Sequence, residues 1–122
     1  MPSLRILLVD DSPTFLESAT RFLAMDARLE IIGCVLSGGE ALEQVPKLRP
    51  DLVLMDLAMP GMNGLEATRH IKAKPSAPYV VILTLNDSRE YRDAALAVGA
   101  DGFVTKSEIG TALLPLLHSL LA

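Results

Sequence analysis

The 122-residue sequence predicts an α/β fold, a doubly wound parallel sheet with helices on both faces. Three short aliphatic runs carry this prediction: Ile6-Leu7-Leu8-Val9, Leu52-Val53-Leu54-Met55 and Val80-Val81-Ile82-Leu83. None alternates apolar with polar residues, so each reads as a strand buried on both faces, the pattern of a parallel sheet covered by helices. Helical periodicity in the intervening segments completes a β-α unit repeated five times.

The elements follow in order. After the first run, Ser12-Pro13 supplies an N-cap and a proline suited to a first helical turn, and Phe15, Ala19, Phe22 and Leu23 recur at helical spacing. A weaker run, Glu30 to Leu36, gives a second strand. Gly38-Gly39 opens a helix over Glu40 to Leu48 that stops before Pro50. Gly64 to Lys74 forms a third helix, ended by Pro75. Ser88 to Val98 forms a fourth, with Gly99 as its C-terminal cap. Gly102 to Val104 is a short fifth strand. The last helix, from about Glu108, contains Gly110 and Pro115, and an interior proline removes a hydrogen bond and kinks the backbone. Its leucines (113, 114, 116, 117, 120 and 121) suit either a core-facing helix with one exposed stripe or an association surface. Cys34, inside an apolar run, reads as an inert core residue.

The length suits one domain, residues 1–122, and 50% hydrophobic residues suffice for a core. The 11 basic residues are scattered and the net charge is −4, which argues against a nucleic-acid surface within the chain. A single cysteine makes no internal disulfide and fits a reducing compartment. The N-terminus does not read as a signal peptide and no apolar stretch approaches membrane-spanning length, so a soluble, cytoplasmic protein is expected.

The chemistry lies at the ends of the aliphatic runs. The first ends in Asp10-Asp11, the second in Asp56, the third in Thr84 and the fifth strand in Thr105-Lys106. In an open parallel sheet, the ligand crevice lies beyond the carboxyl ends of the strands, so carboxylates, a hydroxyl and an ammonium converge there. Close carboxylates repel each other by roughly 4 kcal/mol per pair at about 4 Å with an effective dielectric near 20, so they take up protons or hold a cation. All-oxygen donors with no nearby His or Cys point to Mg²⁺ or a similar hard ion. A hydroxyl and a fixed cation would complete a phosphoryl pocket, in which a carboxylate can be the nucleophile. Asp56, alone at the end of its strand, is the better candidate for that role than the doublet. Taken singly, the doublet could cap a helix, Lys106 could be a solvated lysine and Phe103 plain core. Gly61 and Gly64 read as turn residues, and His70 and His118 as isolated surface residues.

Leu7 to Ser12 (LLVDDS), Asp51 to Gly64 (DLVLMDLAMPGMNG), Ile82-Leu83-Thr84 and Gly99 to Lys106 (GADGFVTK), in this order and spacing, resemble the receiver domains of two-component response regulators. Leu29 to Gly33, Gly64 to Arg69 and Lys106-Ser107 resemble most the receivers of LuxR/NarL-type transcriptional regulators. The resemblance implies a CheY-like, flavodoxin-like fold with strand order 2-1-3-4-5. It also implies roles. Asp56 accepts a phosphoryl group from a sensor histidine kinase or a small phosphodonor. Asp11 and Asp56 ligate Mg²⁺ (or Mn²⁺), Asp10 helps through water, and the Ala58 backbone carbonyl is a further ligand. Lys106 bridges to Asp56 and then to the phosphoryl group, Thr84 is the switch hydroxyl, and Phe103 is the switch aromatic. The output is expected to run through a homodimer or a downstream DNA-binding domain.

Some positions depart from the family pattern. Phe103 stands where tyrosine is common. Leu85 stands where a small residue is usual and is expected to narrow access to Asp56. Ala58 and Asn86 occupy positions that bear on dephosphorylation. Rival readings are weaker. An aspartyl phosphatase would need a second acid two residues after Asp56, where Ala58 stands. A flavin site would need a phosphate-cradling loop where Asp10-Asp11 stands. A phosphorylation-independent dimerisation or interaction module remains the alternative, kept open by the apolar last helix and Leu85.

Overall fold

The computed structural model describes residues 3–85 and 87–121. Five strands, β1 (Leu4–Val9), β2 (Leu29–Val35), β3 (Leu52–Asp56), β4 (Tyr79–Thr84) and β5 (Gly102–Thr105), alternate with helices α1 (Pro13–Leu23), α2 (Gly38–Leu48), α3 (Gly64–Lys72), α4 (Arg89–Ala97) and α5 (Leu114–Leu121). The sheet is parallel throughout, in the order β2-β1-β3-β4-β5, as the resemblance implies.

Strand pleating divides the aliphatic runs between two cores. Ile6, Leu8, Leu52, Leu54, Val81, Leu83 and Val104 pack on the α1/α5 side, with Leu16, Leu23, Leu113 and Leu117. Leu7, Val9, Val53, Met55, Val80 and Ile82 pack on the other, with Ala41, Ala67, Ile71 and Ala95 from α2, α3 and α4. Burial on both faces is why these runs show no alternation. Each buried leucine contributes roughly 1.5–3 kcal/mol, so continuous runs hold both layers to one sheet.

Ser12, Ser37, Asn63 and Ser88 cap α1 to α4, each side chain accepting from the backbone N–H three residues on. All four capped N-termini follow strand ends, so the positive ends of four helix dipoles face the edge where the charged residues lie.

Three expectations need correction. Helix α2 begins at Gly38, because Ser37 caps it, and it carries Pro46 on its exposed side. Cys34 is exposed: β2 is an edge strand, and the Cys34 thiol lies 3.6 Å from Thr20 Oγ1. The interruption at Gly110 and Pro115 takes the form of a change in winding. A 3₁₀ turn (Lys106–Glu108) and a π segment (Ile109–Leu113) precede α5, so Pro115 follows directly on the π segment, at the second residue of the regular helix. Leu113 and Leu117 are fully buried and Leu114, Leu116 and Leu120 partly so against the α1/α5 core, which is the core-facing reading of this helix.

Candidate functional site

Register and pleat together build the site. Val9 pairs with Met55, so Asp10 and Asp56 come next on adjacent strands. Both continue the parity of Leu8 and Leu54, which face α1 and α5; Lys106 continues that of Val104 from β5. Three charged residues therefore turn to the same side of the sheet. Thr84 and Phe103 have the opposite parity, shared with Ile82, and belong to the α4 side.

Asp10 and Asp56 are buried, at 1% and 5% exposure, while Asp11 is exposed. One carboxylate oxygen from each of the three lies within 4.8 Å of the others. The Lys106 ammonium, on a side chain 13% exposed, is 2.6 Å from Asp10 Oδ2 and 3.5 Å from Asp56 Oδ1. The lysine thus bridges Asp56, as the resemblance implies, but lies nearer to Asp10. Asp10 Oδ1 also accepts from the Ser12 backbone N–H at 2.9 Å, tying it to the start of α1. Burial, then the charges of Asp10 and Asp11, push the Asp56 carboxyl up to about 6 against the opposing pull of Lys106. One ammonium against three acids leaves an excess of negative charge. An all-oxygen donor set in this electrostatic state fits a hard divalent cation and does not suit zinc.

Thr84 is buried at the end of β4, opposite Thr105 of β5. Phe103 is half-buried, and the Arg92 guanidinium stacks on its ring at 4.8 Å. Ala58 is exposed in the loop after Asp56. Leu85 follows the end of β4 and is 81% exposed. Asn86 lies outside the described residues. Gly61 takes a positive φ of 74°, and Gly64 opens α3. His70 is exposed, but His118 is not isolated: its Nε2 lies 2.7 Å from both Asp26 and Arg28.

Two neighbours of the site escaped the sequence reading. Glu108 accepts from the Thr105 backbone N–H at 3.2 Å and from its hydroxyl at 2.7 Å, fixing the backbone next to Lys106. The Thr-x-x-Glu spacing of Thr105 and Glu108 was a usable signal. Phe15 lays its ring 4.2 Å from the Lys106 ammonium; its helical spacing announced only a core residue.

Residues 6–117 match the model of the response regulator receiver domain. The chain belongs to that family. It is 35% identical to the transcriptional regulatory protein DegU of Brevibacillus brevis over 91% of its length and 47% of DegU. It is 34% identical to the nitrate/nitrite response regulator NarL of Escherichia coli K12, over 93% of the chain and 52% of NarL. A protein-glutamate methylesterase/protein-glutamine glutaminase of Koribacter versatilis is 37% identical over 90% of the chain and 31% of that protein. The chain therefore spans from 31% to 52% of the length of these relatives. Among solved structures, a LuxR-family response regulator from Aurantimonas superposes with a TM-score of 0.91 at 34% identity, covering 98% of this chain and 85% of the other. The receiver domain of a NarL from Mycobacterium tuberculosis gives 0.86 at 29% identity, covering 97% and 98%. The chain is thus a receiver domain of two-component response regulators, similar to those of LuxR/NarL-type proteins. Among the described residues, no helix is long and apolar enough to cross a membrane.

Proposed function

We propose that this receiver is a cation-dependent phosphorylation switch with Asp56 as its phosphoacceptor. The observation that carries this reading is the convergence of Asp10, Asp11 and Asp56, all within 4.8 Å, with the Lys106 ammonium between two of them. Asp11 and Asp56, Asp10 through water and the Ala58 carbonyl would hold Mg²⁺ or Mn²⁺. When bound, that ion supplies charge neutralisation on phosphoryl oxygens.

An Asp56 carboxylate oxygen attacks the phosphorus of a kinase phosphohistidine. The new O–P bond forms as the N–P bond breaks, and the imidazole leaves with the electron pair and takes up a proton. Lys106 moves from Asp10 toward the incoming phosphoryl oxygens and offsets their charge. Acetyl phosphate serves as a small donor in the same step, acetate being the leaving group. The phosphorylated Asp56 carries about −1.5 to −2 charges and new acceptor oxygens. Thr84 donates its hydroxyl to one of them, and Phe103 turns inward, which changes the α4–β5–α5 surface. In this role the chain catalyses only its own phosphorylation and dephosphorylation. The changed surface would act through a second copy or an output domain, such as a DNA-binding domain, with a sensor histidine kinase as the donor in the cytoplasm.

Intact mass after incubation with Mg²⁺ and acetyl phosphate tests the proposal. One phosphoryl group on wild type, absent without Mg²⁺ and absent in Asp56→Asn, is expected. No adduct from acetyl phosphate or from a histidine kinase would favour a phosphorylation-independent interaction module.

A further inference from the structure

Lys106 is the cation of the site, its side chain mostly enclosed, and its surroundings are unequal. On one side the ammonium meets Asp10 Oδ2 at 2.6 Å, and at 3.5 Å it faces Asp56 Oδ1. On another it faces the Phe15 ring, with the ring centroid 4.2 Å away. At 13% side-chain exposure, little water is left to solvate it, so the ring stands where solvent would otherwise be. An aromatic face attracts a desolvated cation more strongly than an exposed one.

The placement follows from the fold. Asp10 ends β1, Ser12 caps α1, and Phe15 is the residue whose backbone N–H donates to the Ser12 side chain, at 3.2 Å. Asp10 also accepts from the Ser12 backbone N–H. One short stretch, residues 10–15, therefore sets both the carboxylate that parks Lys106 and the ring that covers it.

We propose that Phe15 is a positioning residue for Lys106, holding the ammonium beside Asp56 through the face of its ring. This rests on the reading of Asp56 as phosphoacceptor. A carboxylate partner fixes the ammonium at one point, whereas a ring face tolerates movement across it. Lys106 must leave Asp10 for the phosphoryl oxygens as the O–P bond to Asp56 forms and the donor's bond to phosphorus breaks. Phe15 keeps the cation over the pocket during that move without competing for its hydrogen bonds.

The bland account is that Phe15 only packs against the α1/α5 core, which it does. Leucine and tyrosine substitutions separate the two. Phosphorylation of the full chain by acetyl phosphate in Mg²⁺ is followed over a range of donor concentrations, and thermal unfolding is recorded for each variant. Phe15→Leu is expected to lower the maximal phosphorylation rate about 3- to 20-fold, as the loss of a cation–π contact to a buried ammonium implies. The donor concentration at half-maximal rate should change little. Phe15→Tyr, which keeps the ring, should restore the rate. In a Lys106→Met background, Phe15→Leu should cost nothing further.

Equal rates for wild type and a folded Phe15→Leu would overturn the proposal. So would an undiminished Phe15→Leu effect in the Lys106→Met background, since the ring would then act by packing alone. If Phe15→Leu unfolds, the comparison of Phe15→Tyr with Phe15→Met decides on the same criterion. Absence of phosphorylation in wild type would count against Asp56 as acceptor, a result distinct from any of these.

Discussion

Arg92 stacks its guanidinium on the Phe103 ring, 4.8 Å from the centroid, while its Nε donates to Asp87 at 2.7 Å. Asp87 lies three residues after Thr84, so a short chain of contacts joins the segment following the proposed switch hydroxyl to the proposed switch aromatic. The bond to Arg92 holds the Asp87 carboxyl below the usual carboxylate range. Movement of Thr84 toward a phosphoryl oxygen would pull on Asp87, and an inward turn of Phe103 must break the stack.

Arg92→Ala is therefore expected to raise the population of inward Phe103 about two- to five-fold, the scale of an exposed cation–π contact. Fluorine NMR of protein labelled with fluorophenylalanine reads this directly, with Phe103→Leu assigning the resonance. An unchanged Phe103 signal would remove Arg92 from the switch.

The raised Asp56 carboxyl has a consequence for stability. Its folded value of about 6 stands above the ordinary aspartate value of 3.8, chiefly through burial. A carboxyl raised by folding favours the folded state below its unfolded pKa, and that contribution is lost as pH rises through the folded pKa. Metal-free protein should therefore lose stability between about pH 4 and 7, by no more than about 1–3 kcal/mol. Mg²⁺ should restore it at neutral pH, and Asp56→Asn should flatten the pH profile. Thermal unfolding in a chelator, with and without excess Mg²⁺, measures all three, and a metal-free wild type as stable at pH 7.5 as Asp56→Asn would contradict the account.

The loop after Asp56 allows a sharper test of backbone fit. A Cβ at Gly64 would collide with the Asp56 carbonyl oxygen and lie 3.0 Å from Leu57 Cα, whereas a Cβ at Gly61 would meet nothing within 4 Å. Gly61 is instead held at a φ of 74°. Gly61→Ala should cost about 1 kcal/mol through backbone strain alone and leave phosphorylation intact. Gly64→Ala should cost about 1–3 kcal/mol through overpacking and slow phosphorylation as well, because the residue displaced is Asp56. Urea unfolding and adduct formation distinguish the pair; equal effects at both positions would refute the collision.

These residues also show what could be read before the fold was known. The cluster of Asp10, Asp11, Asp56 and Lys106 was legible because each lies at the end of an aliphatic run, and a parallel sheet brings run ends together. Exposure of Cys34 was not legible, since it depends on β2 being an edge, and strand order is a property of the whole sheet. The preference of Lys106 for Asp10 over Asp56 turns on about 1 Å, far below what spacing in a sequence resolves. Phe15 and Arg92 act through rings and cations brought together from different elements, so periodicity marked them only as helix residues.

His118 presents one ring nitrogen to two partners. Its Nε2 lies 2.7 Å from Asp26 Oδ2 and 2.7 Å from the Arg28 guanidinium. A protonated Nε2 donates to the carboxylate and turns a hydrogen toward Arg28; a bare Nε2 accepts from Arg28 and repels the carboxylate. The two bonds are thus alternatives, and either one ties α5 to the turn between α1 and β2. The Asp26 carboxyl is held at about 2, first by the bond to His118 and then by the Arg28 backbone N–H. A depressed carboxyl contributes stability above its unfolded value of 3.8 and loses that contribution as pH falls through 2. His118→Ala removes the largest cause, so the Asp26 midpoint should rise toward 3.8 in a carbon-detected NMR titration. Amide exchange in the last turn of α5 should quicken in the same variant, because the tie to Asp26 and Arg28 is gone. An Asp26 midpoint that stays near 2 would mean that the Arg28 backbone and side chain hold the carboxylate unaided, and that α5 is secured by its leucines packed on the α1/α5 core without this tie.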